Sequence, residues 1–318
     1  MTESAVEPQD TRRVRLNRVR LYLEMIRFSH TIFALPFAAL ATVWCIVLAL
    51  RTDTGQAALS PMRWTALVIC MVAARSFAMT INRLADRQID AANPRTATRH
   101  LPAGLISPGA AAAFAGLSGL LFIAGCGLFL PNRWPLYLCV PVLIFLAGYS
   151  YAKRLTSAVH FYLGLSLMLA PICVWIALRG EVIEQSPSDI LPAILLGLAV
   201  WLWVSGFDLI YACQDAEYDR SAELRSIPAQ IGVAGALRLA AALHAAMLLP
   251  AAALWYFCPQ LRLGTVYLLG LAAIAAVLFY EHRLVKHDDL RRVNEAFFHA
   301  NAVVGVIFLV AGGLDAWW

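Results

Sequence analysis

Long uncharged apolar runs recur along this chain, separated by short polar segments. Stretches free of Asp, Glu, Lys and Arg cover residues 28–50, 109–132, 134–152, 155–178, 190–207, 239–261, 263–280 and 296–314. Each is near the ~20 residues that a helix needs to cross the hydrocarbon core of a bilayer. A further run, about 64–92, is interrupted by Arg75 and then enters an acidic segment. The pattern predicts nine transmembrane helices and an all-α integral membrane protein.

Polar residues at the span ends reveal a repeat. Asp86 and Asp90 close the second predicted span, and Asp215 and Asp219 close the sixth, with the same spacing within each pair and the same offset between the pairs. Four helices separate the equivalents. The expected architecture is therefore two parallel four-helix repeats plus a ninth helix around a central cavity, because membrane bundles built from repeats place their sites at the repeat interface. Residues 1–27 read as a basic N-terminal segment and 28–318 as a single polytopic domain.

Composition agrees with the pattern: of 318 residues, 61% are hydrophobic and only 14% charged, and the mean hydropathy is +0.69. The basic residues orient the spans. Arg12, Arg13, Arg15, Arg18, Arg20 and Arg27 precede the first span, and most later Lys and Arg fall on the same predicted face. The opposite face receives only Arg51, Arg63, Arg133, Arg179 and Arg262. The positive-inside rule puts the N-terminus and both acidic segments on the cytoplasmic side of the inner (cytoplasmic) membrane. A net charge of +5 then matches anionic lipid headgroups and gives no case for nucleic acid. The seven cysteines lack a C-x-x-C spacing and read as reduced, structural thiols. The first twenty residues are polar and basic without an apolar core, so the first span is expected to direct the chain to the membrane.

Carboxylates at the end of an apolar helix need a strong partner, since a charge at the bilayer centre costs roughly 2.5–3.5 kcal/mol even on lenient insertion scales. At 100° per residue, Arg75, Asn82 and Asp86 share one helix face with Asp90 a turn further on, and Asp208, Asp215 and Asp219 share another. Asp86, Asp90, Asp215 and Asp219, with Asn82 as a neutral oxygen donor, suit Mg²⁺, which prefers carboxylates shared with substrate phosphates. A diphosphate would add negative charge that calls for cations. Arg99, Lys153, Arg154 and Arg225 lie on the same predicted face as clamps for a leaving phosphate. Arg75 is a functional candidate as an intramembrane Arg, or a simple partner of Asn82 or an aspartate. His30 beside Arg27 fits either a headgroup anchor or a substrate contact, and Trp201, Trp203, Trp317 and Trp318 read as packing or interfacial anchors.

These residues resemble the UbiA superfamily of intramembrane aromatic prenyltransferases. NRLADRQIDAANPRTATRHLPAG from Asn82 to Gly104 is similar to the family's N-D-x-x-D-x-x-x-D, followed by R-T-x-x-R and a P-x-G turn. DLIYACQDAEYD from Asp208 to Asp219 is similar to its D-x-x-Y-A-x-x-D-x-x-x-D, and Tyr149 with Lys153 in GYSYAKRLT to a Y-x-x-x-K element between the two. The resemblance spans the whole chain. It implies that Asn82, Asp86, Asp90, Asp215 and Asp219 bind Mg²⁺-diphosphate, and that Arg99, Tyr149 and Lys153 contact the diphosphate or its leaving oxygen. By the same resemblance Asp208 is expected to be catalytic together with Tyr149 and Lys153, and Arg95 and Tyr211 to bind substrate. Arg83 departs from the pattern, standing where the family often has Asp. It is expected to attract an acceptor carboxylate, pair with Asp86 or face lipid phosphates.

The expected function is electrophilic aromatic prenylation in quinone biosynthesis, with a polyprenyl diphosphate donor and a small aromatic acid acceptor. 4-Hydroxybenzoate is the first candidate, and a dihydroxynaphthoate of a futalosine-type menaquinone pathway the second. A secondary transporter would share the helices, repeats and buried carboxylates, but not paired D-x-x-x-D elements beside an R-T-x-x-R clamp.

Overall fold

The computed structural model describes residues 18–27, 33–286, 290, 292–293 and 296–318, without the side chains of residues 153, 296 and 297. A short helix α1 (18–25) precedes α2 (Leu35–Arg51), α3 (Pro61–Ala92), α4 (Pro108–Gly127), α5 (Trp134–Leu155) and α6 (Val159–Gln185). Then follow α7 (Leu191–Ala212), the short α8 (Ala216–Ser221), α9 (Ile227–Phe257), α10 (Thr265–Leu284) and α11 (Asn301–Trp317). Among the described residues, eight helical segments are long and apolar enough to cross a membrane, and α2 is a further apolar helix of 17 residues. The integral membrane, all-α expectation holds. Helix ends differ from the charge-free runs, because α6 continues through Arg179 and Glu181, and α9 begins before Arg238.

Local chemistry explains several boundaries. Ser107 caps α4 by accepting from the Ala110 amide at 3.2 Å, with Pro108 at the first helical position, where its missing N–H costs nothing. Ser226 caps α9 in the same way through Ala229. Helix α3 stops where Asn93 is held extended before Pro94, since a residue preceding proline avoids the helical region. Internal prolines at 141, 171 and 250 are of the kind that membrane helices tolerate.

Helix α7 packs between α6 and α9, α3 packs on α4 and α5, and α2 lies between α6 and α11, with α10 linking α9 to α11. Glycines permit close approaches, two of them around α7. A Cβ at Gly164 of α6 would collide with Ser205 and the Trp201 carbonyl of α7, and one at Gly206 of α7 would collide with His244 of α9. Small residues at such contacts are how membrane helices pack tightly. Trp44, Trp175 and Trp203 are buried here, and each indole N–H is satisfied, by the Gly312 carbonyl, Asp189 and Asn301 respectively. The expectation of packing for Trp203 is met, whereas Trp317 and Trp318 are exposed.

At 1.5 Å per residue the 32-residue α3 is about 48 Å long, against a hydrocarbon core of roughly 30 Å. Its last turns, which carry Asn82 to Asp90, therefore lie beyond the span. Carboxylates are affordable at that depth. In sequence order α7, its 3₁₀ turn Cys213–Asp215 and α8 form the counterpart segment.

Candidate functional site

One cavity of about 300 Å³ is lined by both aspartate segments. From α3 come Arg75, Asn82, Arg83, Asp86 and Asp90; from α7 and its extension come Asp208, Tyr211, Asp215, Tyr218 and Asp219. Arg27, Arg95, Arg99 and Tyr149 complete its polar wall. The second segment is not one continuous helix. A 3₁₀ turn at Cys213–Asp215 separates α7 from α8, and short 3₁₀ insertions of this kind often mark functional positions.

The turn after α3 folds the cations back over the carboxylates. Asn93 Oδ1 accepts from the Arg95 amide at 2.9 Å, and the Thr96 hydroxyl donates to the Asp90 carbonyl at 2.9 Å. Arg99 Nη1 then donates to Asp90 Oδ1 at 2.7 Å. Arg95 forks onto both carboxylate oxygens of Asp215, Nε to Oδ1 at 2.8 Å and Nη2 to Oδ2, while its Nη1 donates to the Tyr211 hydroxyl at 3.0 Å. Burial pulls the Arg95 guanidinium down, but Asp215 and Tyr211 outweigh it and raise it above its ordinary value. This fork ties the two aspartate segments across 120 residues of sequence.

Asn82 Nδ2 donates to Asp86 Oδ2 at 3.3 Å, and Arg154 Nη2 reaches Asp86 Oδ1 at 3.4 Å and the Ala85 carbonyl. Arg83 is buried, with Nη1 3.9 Å from Asp90 Oδ2 and Nε 3.4 Å from the Met25 carbonyl. It does not face lipid. Arg75 donates to the carbonyls of Arg27 at 2.7 Å and Ile26 at 3.4 Å, tying the turn after α1 to α3. Arg225 lies apart, donating to the Leu155 carbonyl outside the cavity. His30 and the side chain of Lys153 lie outside the described residues.

Arg83–Asp90 is buried on both sides, whereas Arg154–Asp86 is buried only at the carboxylate. Breaking a buried ion pair costs about 3–5 kcal/mol, and exposed pairs contribute about 0–1 kcal/mol. The 3.9 Å Arg83–Asp90 separation places that pair at the low end of the buried range. Arg83→Ala is expected to lower the thermal unfolding temperature in detergent clearly, and Arg154→Ala hardly at all, since the Arg154 side chain is 35% exposed. Equal melting temperatures for the two variants would contradict this.

Three features escaped the sequence. His160 of α6 is buried, with Nδ1 2.7 Å from Asp208 Oδ2. Ser150 Oγ is buried at the cavity wall without a hydrogen-bond partner among the described residues. Behind the cavity, Trp203, Asn301, Glu281, His244 and His282 form a hydrogen-bonded chain linking α7, α11, α10 and α9. None has a motif signature, because the partners come from distant helices. All seven cysteines are free, and all but Cys173 are buried, as expected.

An apolar slot of about 270 Å³ continues from the polar cavity between α3, α4, α5 and α6. Ala34, Arg75, Met79, Asn82, Tyr149, Leu163 and Leu167 border both spaces. Beyond them the slot is walled by side chains such as Leu67, Met71, Phe122, Leu138 and Val174. The arrangement suits an amphiphile with an anionic head and a hydrocarbon tail.

The donor set also suits a divalent cation. It is all oxygen, and the buried Asp90 Oδ2 accepts no hydrogen bond from the described residues. Among the described residues, no three His, Cys, Asp or Glu side chains stand close enough to form a closed cage.

Comparison with known proteins follows the same line. The UbiA prenyltransferase family profile matches residues 38–302. A mitochondrial 4-hydroxybenzoate polyprenyltransferase of Arabidopsis thaliana is 32% identical over 216 residues, which is 67% of this chain but only half of that protein's length. A 4-hydroxybenzoate octaprenyltransferase of Nitrosospira multiformis is 31% identical over 245 residues, 76% of this chain and 79% of that one. The solved apo structure of a UbiA homolog from Aeropyrum pernix K1 superposes with a TM-score of 0.75 at 32% identity, covering 89% of this chain and 96% of the other. A UbiA homolog from Archaeoglobus fulgidus, solved bound to GPP and Mg²⁺, shares the fold with a TM-score of 0.65 at 17% identity, covering 93% and 99%. The chain belongs to the UbiA prenyltransferase family.

Proposed function

We propose that this protein transfers a polyprenyl group from a polyprenyl diphosphate to a small aromatic acid, with 4-hydroxybenzoate as the acceptor, releasing diphosphate. The observation that carries this reading is the polar cavity that gathers both aspartate segments and their arginines, adjoined by an apolar slot with which it shares lining residues. The naming of the relatives as 4-hydroxybenzoate prenyltransferases supports the acceptor. A dihydroxynaphthoate is the second candidate, and a transporter reading explains neither the slot nor the paired motifs.

In this reading Asn82, Asp86, Asp90, Asp215 and Asp219 hold the Mg²⁺-diphosphate, and the prenyl tail lies in the slot. Mg²⁺, when bound there, neutralises the diphosphate and favours its departure. Arg99 and Arg95 are poised to contact the phosphates. The Arg95 fork engages both oxygens of Asp215, and the lone pairs it leaves would be available to a cation. Arg83 faces Asp90 and acts on the donor side. Tyr149 and Lys153 contact the leaving oxygen; Arg27, His30, Arg75, Arg154 and Tyr211 surround or support the substrates, and Arg225, which lies outside the cavity, takes no part. Water is kept from the allylic cation by the apolar walls, a condition such chemistry requires. Residues 28–318 form one catalytic unit, and both aspartate segments face the cytoplasm at the inner membrane.

Lys153→Met is expected to lower kcat by roughly ten- to a hundredfold while acceptor KM stays near wild type, because a charge-assisted contact is worth about 1.5–3 kcal/mol. An unchanged kcat with a raised acceptor KM would move Lys153 to the acceptor carboxylate. Acceptor identity is tested by incubating membranes with one prenyl diphosphate and equal amounts of 4-hydroxybenzoate and a dihydroxynaphthoate. Prenylated 4-hydroxybenzoate, identified by mass, is the expected product. Prenylated naphthoate alone would assign the second acceptor, and no prenylated product would remove the reading.

A further inference from the structure

Away from the aspartate segments, the arginines of the opposite membrane face differ in their partners. Arg63 pairs with Glu181 at 3.8 Å, Arg179 forks onto Asp189, and Arg133 stands alone just before α5. Arg51 and Arg262 come together. Arg51 ends α2, and Arg262 follows the 3₁₀ turn Pro259–Leu261, which packs against α2 and presents the second positive charge to the first. Arg51 is half-buried and Arg262 exposed. No carboxylate among the described residues stands within ion-pair distance of either. Asp315, on the last turn of α11, is spent on the amides of Gly264 at 2.8 Å and Tyr267 at 2.6 Å. Exposed aromatic side chains flank the pair in the chain: Trp255, Tyr256 and Phe257 end α9 just before the turn, and Trp317 and Trp318 close α11.

We propose that Arg51 and Arg262 form a binding site for the phosphate of an anionic phospholipid headgroup, on the membrane face opposite the aspartate segments. Arg51 Nη2 donates to the Ala316 carbonyl at 2.6 Å, which satisfies the end of α11, but its Nη1 has no partner among the described residues. Helix capping therefore accounts for half of Arg51 and for none of Arg262. Two like charges held side by side without a counter-ion repel each other, and an anion shared between them turns that repulsion into attraction. Arg262 also sits in the left-handed region at φ 54, a conformation that favours glycine or asparagine. The position keeps a guanidinium there despite that cost. A guanidinium matches a phosphate with two parallel N–H donors. The aromatic side chains on either side are of the type that seats at headgroup depth, which sets the phosphate of a lipid, rather than an ion from water, at the level of the two arginines.

The test places the full-length protein in phosphatidylcholine nanodiscs that contain a small fraction of photoactivatable phosphatidylglycerol or photoactivatable phosphatidylcholine, each with its diazirine near the glycerol. After illumination, labelled peptides are identified by mass. Phosphatidylglycerol should label residues 255–262 and 316–318 well above phosphatidylcholine. One basic residue near an anionic lipid favours it about fivefold, so Arg262→Gln should lower this labelling by about that factor and Arg51→Gln with Arg262→Gln should bring it to the phosphatidylcholine level. Melting temperature in detergent shows which variants are folded, and the exposed Arg262→Gln carries the test alone if Arg51→Gln is not. Inorganic phosphate added in excess at constant ionic strength should leave the labelling nearly unchanged. Equal labelling by the two lipids, or undiminished labelling in a folded Arg262→Gln variant, would overturn the proposal. Loss of labelling with inorganic phosphate would overturn it in favour of a site for the free anion.

Discussion

Asp215→Ala is expected to abolish prenyl transfer while leaving the protein folded, and Asp90→Ala to abolish it with a loss of stability as well. Both remove a proposed ligand of the diphosphate-bound cation, and a loss of at least a hundredfold corresponds to about 2.7 kcal/mol of transition-state stabilisation. Their structural settings separate them. The Asp215 side chain is 20% exposed and its partner Arg95 35% exposed, so a released Arg95 can turn to water. The Asp90 side chain is 5% exposed and serves Arg99 at 2.7 Å and Arg83 at 3.9 Å. Its removal leaves buried cations uncompensated, which costs about 3–5 kcal/mol. Product formation and melting temperature, measured on the same detergent-solubilised samples, check both halves. Retention of more than about a tenth of wild-type activity by either folded variant, a loss of under ~1.4 kcal/mol, would contradict the assignment.

Filling the apolar slot should separate long donors from short ones. Ala74 lines the slot eight residues before Asn82 on α3, about 12 Å along the helix from the polar end. Ala74→Phe places a ring there, beyond the end of a geranyl tail but across the path of a longer chain. Overpacking a filled space costs about 1–3 kcal/mol, so transfer from a long polyprenyl diphosphate should fall by roughly ten- to a hundredfold relative to geranyl diphosphate. Parallel kcat/KM measurements with the two donors check it. Equal losses for both would show that the tail runs elsewhere.

The membrane fold and the two aspartate segments that meet in the cavity were legible in the sequence because both depend on local pattern. Charge-free runs marked the helices, and Asp86 with Asp90 and Asp215 with Asp219 declared themselves by spacing. Span limits were not legible, because a run ends at the first charge whether or not the helix does. Arg179 lies inside α6 because Asp189 receives its fork at 2.7 and 2.9 Å, and Arg238 lies inside α9 as an exposed side chain donating to the Ala234 carbonyl. The Arg95–Asp215 fork joins residues 120 apart and the His160–Asp208 pair residues 48 apart; neither spacing carries a periodic signal. A histidine in an apolar run looks the same whether it fills space or orients a carboxylate.

The central claim is that this cavity expels diphosphate from a prenyl donor in a metal-dependent reaction and delivers the prenyl group to an aromatic acid. Released diphosphate and prenylated 4-hydroxybenzoate should therefore be measured together, in membranes containing the protein, before chelation with EDTA, after it, and after Mg²⁺ is restored. The account predicts equal amounts of the two products, loss of both on chelation and recovery of both with Mg²⁺; product formation that survives thorough chelation, or uptake of substrate without diphosphate release, would contradict it.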